Sequence, residues 1–110
     1  CVKEYPLEIP IRLGDKASDG SQLRPFIVWF GEYVPAMEVA EDYVKQADIF
    51  AVIGTSLQVY PAAGLTRYAH GRIPKYVVDP NLAVIPTGFV HIKDNATSGV
   101  ARLVEEMMNL

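Results

Sequence analysis

Apolar residues in this chain come in short unbroken blocks separated by stretches of helical period. Residues 49–53, Ile-Phe-Ala-Val-Ile, form one block that stops abruptly at Gly54, Thr55 and Ser56. A continuous apolar run of that length suits a parallel strand covered on both faces. Residues 26–30 make an earlier block closed by Gly31, residues 76–78 a third ending at Asp79-Pro80-Asn81, and residues 89–92 a fourth before the Asp94-Asn95 turn. Between blocks the period changes. After Pro35, Ala36, Ala40, Tyr43, Val44 and Ala47 share one side of a predicted helix, and Glu38, Glu41, Asp42 and Lys45 take the other. Pro61 suits the first position of a second helix running through Ala63, Leu65, Tyr68 and Ala69 to a stop at Gly71. Thr97 or Ser98 caps a last helix, with Val100, Leu103, Val104, Met107 and Met108 at core spacing.

Strands that alternate with helices pair in parallel through right-handed crossovers. The expected fold is α/β: a partial Rossmann-like parallel sheet with flanking helices, the C-terminal half of a doubly wound domain. Residues 1–22 differ in texture, with Pro6, Pro10, Gly14 and Gly20 around Asp15, Lys16, Ser18 and Asp19. They read as loop, with one short strand over residues 9–13. In open α/β sheets, ligands bind at the carboxyl ends of strands. Gly54 permits a tight turn or a close approach there, and Thr55 and Ser56 bring hydroxyl and amide donors.

Composition narrows the classes. Half of the 110 residues are apolar, enough for one core, and the start at Cys1 rather than a methionine reads as an incomplete chain. No apolar run approaches the roughly 20 residues of a membrane helix, so no membrane partner is expected. A net charge of −3 argues against binding nucleic acid. The single cysteine excludes an internal disulfide and cannot alone build a tetrahedral zinc site, which fits a cytoplasmic setting.

Several motifs at ordered distances carry a resemblance. Leu23-Arg24-Pro25, then Ile27-Val28-Trp29-Phe30-Gly31-Glu32, Val34-Pro35, Gly54-Thr55-Ser56-Leu57, Val59 and Pro61-Ala62 resemble the second half of the sirtuins, the NAD-dependent protein-lysine deacylases. The similarity runs from about Leu23 to the end, so residues 23–110 would be the C-terminal half of the NAD-binding domain. Residues 1–22 would be a remnant of the small zinc-module region. The resemblance implies that residues 28–32 lie beside an acyl-lysine peptide, which Gly31 and Glu32 pair as an added strand. The Val28 carbonyl would accept the acyl-lysine amide proton, Phe30 would line the acyl tunnel, and Val34 completes the substrate set. Alternatively, Trp29 and Phe30 are core aromatics at a strand end.

For the cofactor NAD, used as a co-substrate, the resemblance places Gly54, Thr55 and Ser56 near ribose and phosphates. Asp79 stands where most sirtuins have an asparagine that contacts the adenosine ribose, with Pro80 and Asn81 beside it, and Ala96 borders the adenine. Without the upstream motifs, Asp79-Pro80-Asn81 reads equally as a plain strand-exit turn. His70-Gly71 looks like the family's catalytic pair but follows the Gly-Thr-Ser motif, whereas the family's pair precedes it. His70 is expected at a helix end and His91 in a surface or packing role, and no catalytic residue is assigned within the chain. Cys1 would be the remnant of one of the family's two zinc pairs, with Glu4 at its partner position and Lys16 and Asp19 where the second pair would stand, so no metal is expected. An oxygen-rich site at Asp15 and Asp19 is set against ordinary turn residues. Tyr5, Leu7, Ile9 and Ile11 are expected to hold this loop by packing.

The parent enzyme implied by the resemblance moves the acyl group from lysine to ADP-ribose and releases nicotinamide. A histidine general base activates the ribose hydroxyls. That histidine and the glycine-rich phosphate loop would lie in the other half, leaving this piece inactive alone. The alternatives are a non-catalytic module that binds nucleotide or acyl-peptide, and a structural α/β domain of the thiamine-diphosphate enzyme type. An open sheet edge would also invite self-association.

Overall fold

The run Lys75–Val78, Lys-Tyr-Val-Val, is buried at every position, which marks it as the middle of a sheet. It belongs to the second of two units, Cys1–Tyr33 and Val34–Leu110, in a computed structural model that describes Val2, Glu4 and residues 6–110. This unit runs α1 (Met37–Lys45), β1 (Phe50–Ile53), a 3-10 helix (Ala62–Arg67), β2 (Lys75–Val78), β3 (Val90–Ile92) and α2 (Ala96–Met108). The sheet order is β1-β2-β3 and both pairs are parallel, as expected; the 3-10 helix lies in the crossover from β1 to β2, whereas residues 79–89 join β2 to β3 without a helix.

Register aligns the strand exits. Ile53 stands opposite Val78, and Val78 opposite Ile92, so the residues that follow all emerge at one edge. Tyr76 and Val78 join Ile92 of β3 and Leu103 of α2 in the main core, with Ile49 and Met107 packed against it. Strand alternation puts Lys75 and Val77 on the opposite face. Lys75 is buried, and its Nζ donates to the carbonyls of His70 and Gly71 at 3.1 and 3.3 Å, which satisfies an otherwise costly charge.

The elements depart from the pattern in four places. β1 alternates between half-buried and exposed rather than being covered on both faces, and it lies at one edge of the sheet among the described residues. α1 starts later than Pro35, with Ala36 as its N-cap, and Tyr43 faces out while Val44 is buried. The segment after Pro61 is a 3-10 helix rather than an α-helix, with Pro61 as its cap after a cis Tyr60-Pro61 peptide. Gly64 weakens helix formation there, and the Thr66 hydroxyl donates to the Ala63 carbonyl at 3.0 Å. Finally, Asn95 caps α2 rather than Thr97 or Ser98, since the Ser98 hydroxyl is engaged by Asp94.

The first unit contains neither expected strand. Residues 9–13 and 26–30 find no strand partner among the described residues and close into local turns. The pattern misleads because an apolar block forms a strand only where a neighbouring edge pairs its backbone. Leu7, Ile9 and Ile11 are exposed and do not pack the loop together; Cys1 and Tyr5 lie outside the described residues. Polar groups hold it instead. The Gln22 side-chain amide donates to the carbonyls of Arg12 and Leu23, and its oxygen accepts from the Gly14 amide. Residues 15–23 close on themselves through Leu23 N–H to Asp15 at 2.8 Å and Ala17 N–H to Ser21 at 2.8 Å.

Candidate functional site

At the carboxyl edge of the sheet, each strand leaves by a different local device. After β1, the Gly54 amide continues the ladder by donating to the Val78 carbonyl at 2.9 Å. Gly54 then takes a φ of +68°, a conformation that costs glycine little. Thr55 Oγ1 accepts from the Leu57 amide at 3.2 Å, forming a tight hydroxyl-closed turn. Thr55 and Ser56 remain exposed at the edge. A cleft of about 430 Å³ opens next to them, between Ser56, Leu57, Tyr60 and Thr66 on one side and Val84 and Pro86 on the other.

After β2, the Asp79 amide donates to the Ile92 carbonyl at 3.3 Å and its carboxylate accepts from the Asn81 amide at 2.8 Å. The Asp79 carboxylate thus closes the turn across Pro80 by accepting the Asn81 amide, as aspartate does in an Asx turn. His91 Nε2 lies 2.8 Å from the Asp79 carbonyl oxygen. After β3, Asp94 Oδ1 accepts from the Asn95 amide at 2.8 Å and from the Ser98 hydroxyl at 2.6 Å, with Arg102 at 3.9 Å from Oδ2. The Ser98 hydroxyl first, and then the Asn95 amide, hold the Asp94 carboxyl below its ordinary range. Ala96 opens α2 directly behind.

The first turn of α2 comes close to β2 because Gly99 has no side chain. A Cβ at that position would stand 2.5 Å from Val78 Cγ1. The sheet therefore brings Gly54, Thr55 and Ser56, Asp79, Pro80 and Asn81, and Asp94 to Ala96 to one edge, the arrangement expected of a nucleotide crevice. Among these residues lie hydroxyls, carboxylates and amide groups suited to a ribose, and no cluster of acidic, histidine or cysteine residues that could hold a metal occurs among the described residues.

In the first unit, residues 24–32 form a clamped loop. Both guanidinium nitrogens of Arg24 reach the Glu32 carboxylate, at 2.6 and 3.0 Å, in a two-pronged pair, and Nη2 also donates to the Ile27 carbonyl at 3.1 Å. Glu32 Oε2 accepts from the Trp29 amide at 2.9 Å, and the guanidinium lies 5.9 Å from the Trp29 ring centroid. Arg24, followed by the Trp29 amide, holds the Glu32 carboxyl down to about 2. Between the ends of the clamp, Phe30 is 91% exposed and Val28 half exposed, with Gly31 at a φ of +85°. Val34 begins the other unit. Trp29 and Phe30 are thus not core aromatics of a strand end. The sequence reading passed over Arg24 as a holding group; its signal is an arginine eight residues before a glutamate, across an apolar block. His91, expected in a surface or packing role, instead meets the Asp79 carbonyl.

Against known proteins, the family model described as "Sir2 family" matches residues 6–61. An NAD-dependent protein deacylase of Bacteroides thetaiotaomicron is 51% identical over 105 residues, covering 93% of this chain and 45% of that protein. One from Helicobacter pylori is 44% identical over 108 residues, covering 96% of this chain and 47% of that protein. The chain spans about half the length of these curated relatives. Among solved structures, one described as "Structural Basis for the Mechanism and Regulation of Sir2 Enzymes" superposes with a TM-score of 0.69 at 30% identity, covering 86% of this chain and 41% of that one. "Sir2 bound to acetylated peptide" gives a TM-score of 0.67 at 27% identity, covering 86% of this chain and 42% of that one.

Proposed function

The chain belongs to the Sir2 family, and from that premise we propose that it is the C-terminal part of an NAD-dependent protein-lysine deacylase. The observation that carries this reading is the gathering of Gly54, Asp79 and Ala96 at the carboxyl edge of one parallel sheet. In this reading Gly54, Thr55 and Ser56 meet the ribose and phosphates of NAD, Asp79, Pro80 and Asn81 meet the adenosine ribose, and Ala96 borders the adenine. Asp79 differs from the family's usual asparagine but accepts ribose hydroxyls through the carboxylate oxygen that the Asn81 amide does not occupy.

Acylated-lysine peptides are the second substrate. The loop held by Arg24 and Glu32 leaves Val28, Phe30 and Gly31 open, and an extended peptide pairs with such a backbone while its acyl-lysine meets an apolar side chain. When bound, NAD supplies the electrophilic ribose carbon to which the acyl oxygen adds as nicotinamide leaves; the residues of this chain bind and orient the two substrates. The general base and the glycine-rich phosphate loop belong to the other half of the domain, so this chain by itself turns over nothing. In this reading the present region holds no closed zinc site, because its one cysteine cannot supply four thiolates, and the lone cysteine accords with a reducing, cytoplasmic setting. Among the described residues no helix is long and apolar enough to cross a membrane.

The test is nicotinamide release by the full-length parent with NAD and an acetyl-lysine peptide, with this chain alone as the negative control. Nicotinamide release that depends on both substrates is the expected result. A parent that consumes no NAD with acetylated, propionylated or succinylated peptides overturns the reading. Binding of NAD without consumption would then identify a non-catalytic module.

A further inference from the structure

The exit of β2 contains a hydrogen bond that sheet geometry would not supply. In a parallel ladder each residue that donates to one position of its neighbour accepts from the next donor along. The Asp79 amide donates to Ile92, so the matching donor to the Asp79 carbonyl would be the Asp94 amide. That amide turns away and donates to Ile92 at 2.9 Å instead, as β3 bends toward α2. The Asp79 carbonyl is thereby left without its ladder partner, and His91 Nε2 fills the place at 2.8 Å. A carbonyl only accepts, so the imidazole must carry its proton on Nε2.

Asp79 is consequently fixed at three points: its amide by Ile92, its carbonyl by His91 and its carboxylate by the Asn81 amide. We infer that His91 is a positioning residue for the nucleotide, standing in for the absent backbone donor and so fixing the angle at which Asp79, Pro80 and Asn81 meet the ribose. His91 touches neither substrate in this arrangement and acts only through the Asp79 carbonyl. The inference rests on the functional reading above for its ligand, and on the hydrogen bond alone for its geometry.

Two measurements on the full-length parent separate these. Nitrogen-15 NMR of the histidine ring without nucleotide is expected to show the Nε2-protonated tautomer; an Nδ1-protonated ring overturns the inference whatever the enzyme does. NAD binding by calorimetry, with KM for each substrate, is then compared for His91→Leu, which removes the donor, and His91→Gln, which keeps an N–H. His91→Leu is expected to weaken NAD about tenfold with peptide KM and kcat at saturating NAD close to wild type, and His91→Gln to recover most of the loss. Unchanged NAD affinity in His91→Leu, or an equal loss in both variants, sinks the positioning role. If His91→Leu fails to fold, His91→Gln and the tautomer decide. A wild-type protein that binds no NAD refutes the deacylase reading, while the tautomer still tests the bond.

Discussion

Replacing Gly99 with alanine sets two known effects against each other. Alanine is favoured over glycine inside a helix by about 0.8–1 kcal/mol, so an unconstrained site would gain stability. Here the new Cβ would stand 2.5 Å from Val78 Cγ1, 3.3 Å from Asp94 Cβ and 3.5 Å from Ile92 Cγ2. Carbon atoms rest about 3.5–4.0 Å apart, so the first contact overlaps by roughly 1 Å. Val78 is fully buried and β-branched, which leaves it no alternative rotamer to retreat into. The helix must move instead, at a cost of about 1–3 kcal/mol for forced overpacking. The net expectation is a loss of up to about 2 kcal/mol, the overlap outweighing the helix preference. Urea unfolding of the full-length protein measures it, with Gly64→Ala as control. At Gly64 the nearest atoms are Tyr60 ring carbons at 3.8 Å, ordinary contact, so that variant should stay within about 0.5 kcal/mol of wild type. Because α2 carries Ala96 and follows Asp94 and Asn95, its displacement should also weaken NAD binding. Gly99→Ala as stable as Gly64→Ala would refute the close approach of helix and strand.

Trp29 is the only tryptophan, so its fluorescence reports the Arg24–Glu32 clamp directly. The Glu32 carboxyl is depressed from 4.5 to about 2 by Arg24 and the Trp29 amide, so the clamp is complete above the ordinary carboxylate range and lost as pH falls toward 2. An acid fluorescence midpoint near 2 should move toward 4.5 in Arg24→Gln; coincident midpoints would show that the clamp does not hold the loop. Phe30→Ala in the full-length parent should lower turnover of acyl-peptide far more than NAD affinity, since the ring is exposed and supports no core; equal losses would assign it to folding. Leu103→Ala empties the centre of the core shared by Tyr76, Val78 and Ile92 and should cost about 2–5 kcal/mol by urea unfolding, a smaller change implying that α2 docks elsewhere.

How much was legible in the sequence depended on whether a segment's structure is decided locally. The blocks that became β1, β2 and β3 are flanked by glycine, proline, aspartate or asparagine turns, so the elements and their parallel pairing could be read. The exit residues Gly54 and Asp79 followed from those boundaries. The block at residues 26–30 has the same apolar composition as β1 yet forms turns, because strand formation needs a pairing edge that sequence composition does not reveal. The caps failed for a related reason. Thr97 and Ser98 are good capping types, but Asp94 takes up the Ser98 hydroxyl and moves the helix start to Asn95. His91 and Arg24 were missed as holding groups because their partners are a backbone carbonyl and a carboxylate brought near by folding, at separations of twelve and eight residues.

These two residues show a common way in which an open strand end is made rigid enough to recognise a ligand. A strand exit gives up ladder bonds, and each unpaired backbone group must find another partner or face water. At the β1 exit the partner is a threonine hydroxyl, at β2 an aspartate carboxylate and a histidine ring, and at β3 an aspartate that also engages the first turn of α2. Arg24 and Glu32 do the same for a loop that has no ladder at all. In each case a side chain fixes the backbone of an exit turn or loop, and at Asp79 one carboxylate oxygen stays outside that task. Substitutions at Thr55, His91 and Arg24 should therefore weaken binding by loosening a loop, whereas substitutions at Ser56 or Phe30 should do so by removing a contact. The two kinds separate by rescue: a variant that keeps the hydrogen bond, such as Thr55→Ser, restores the first kind and does nothing for the second.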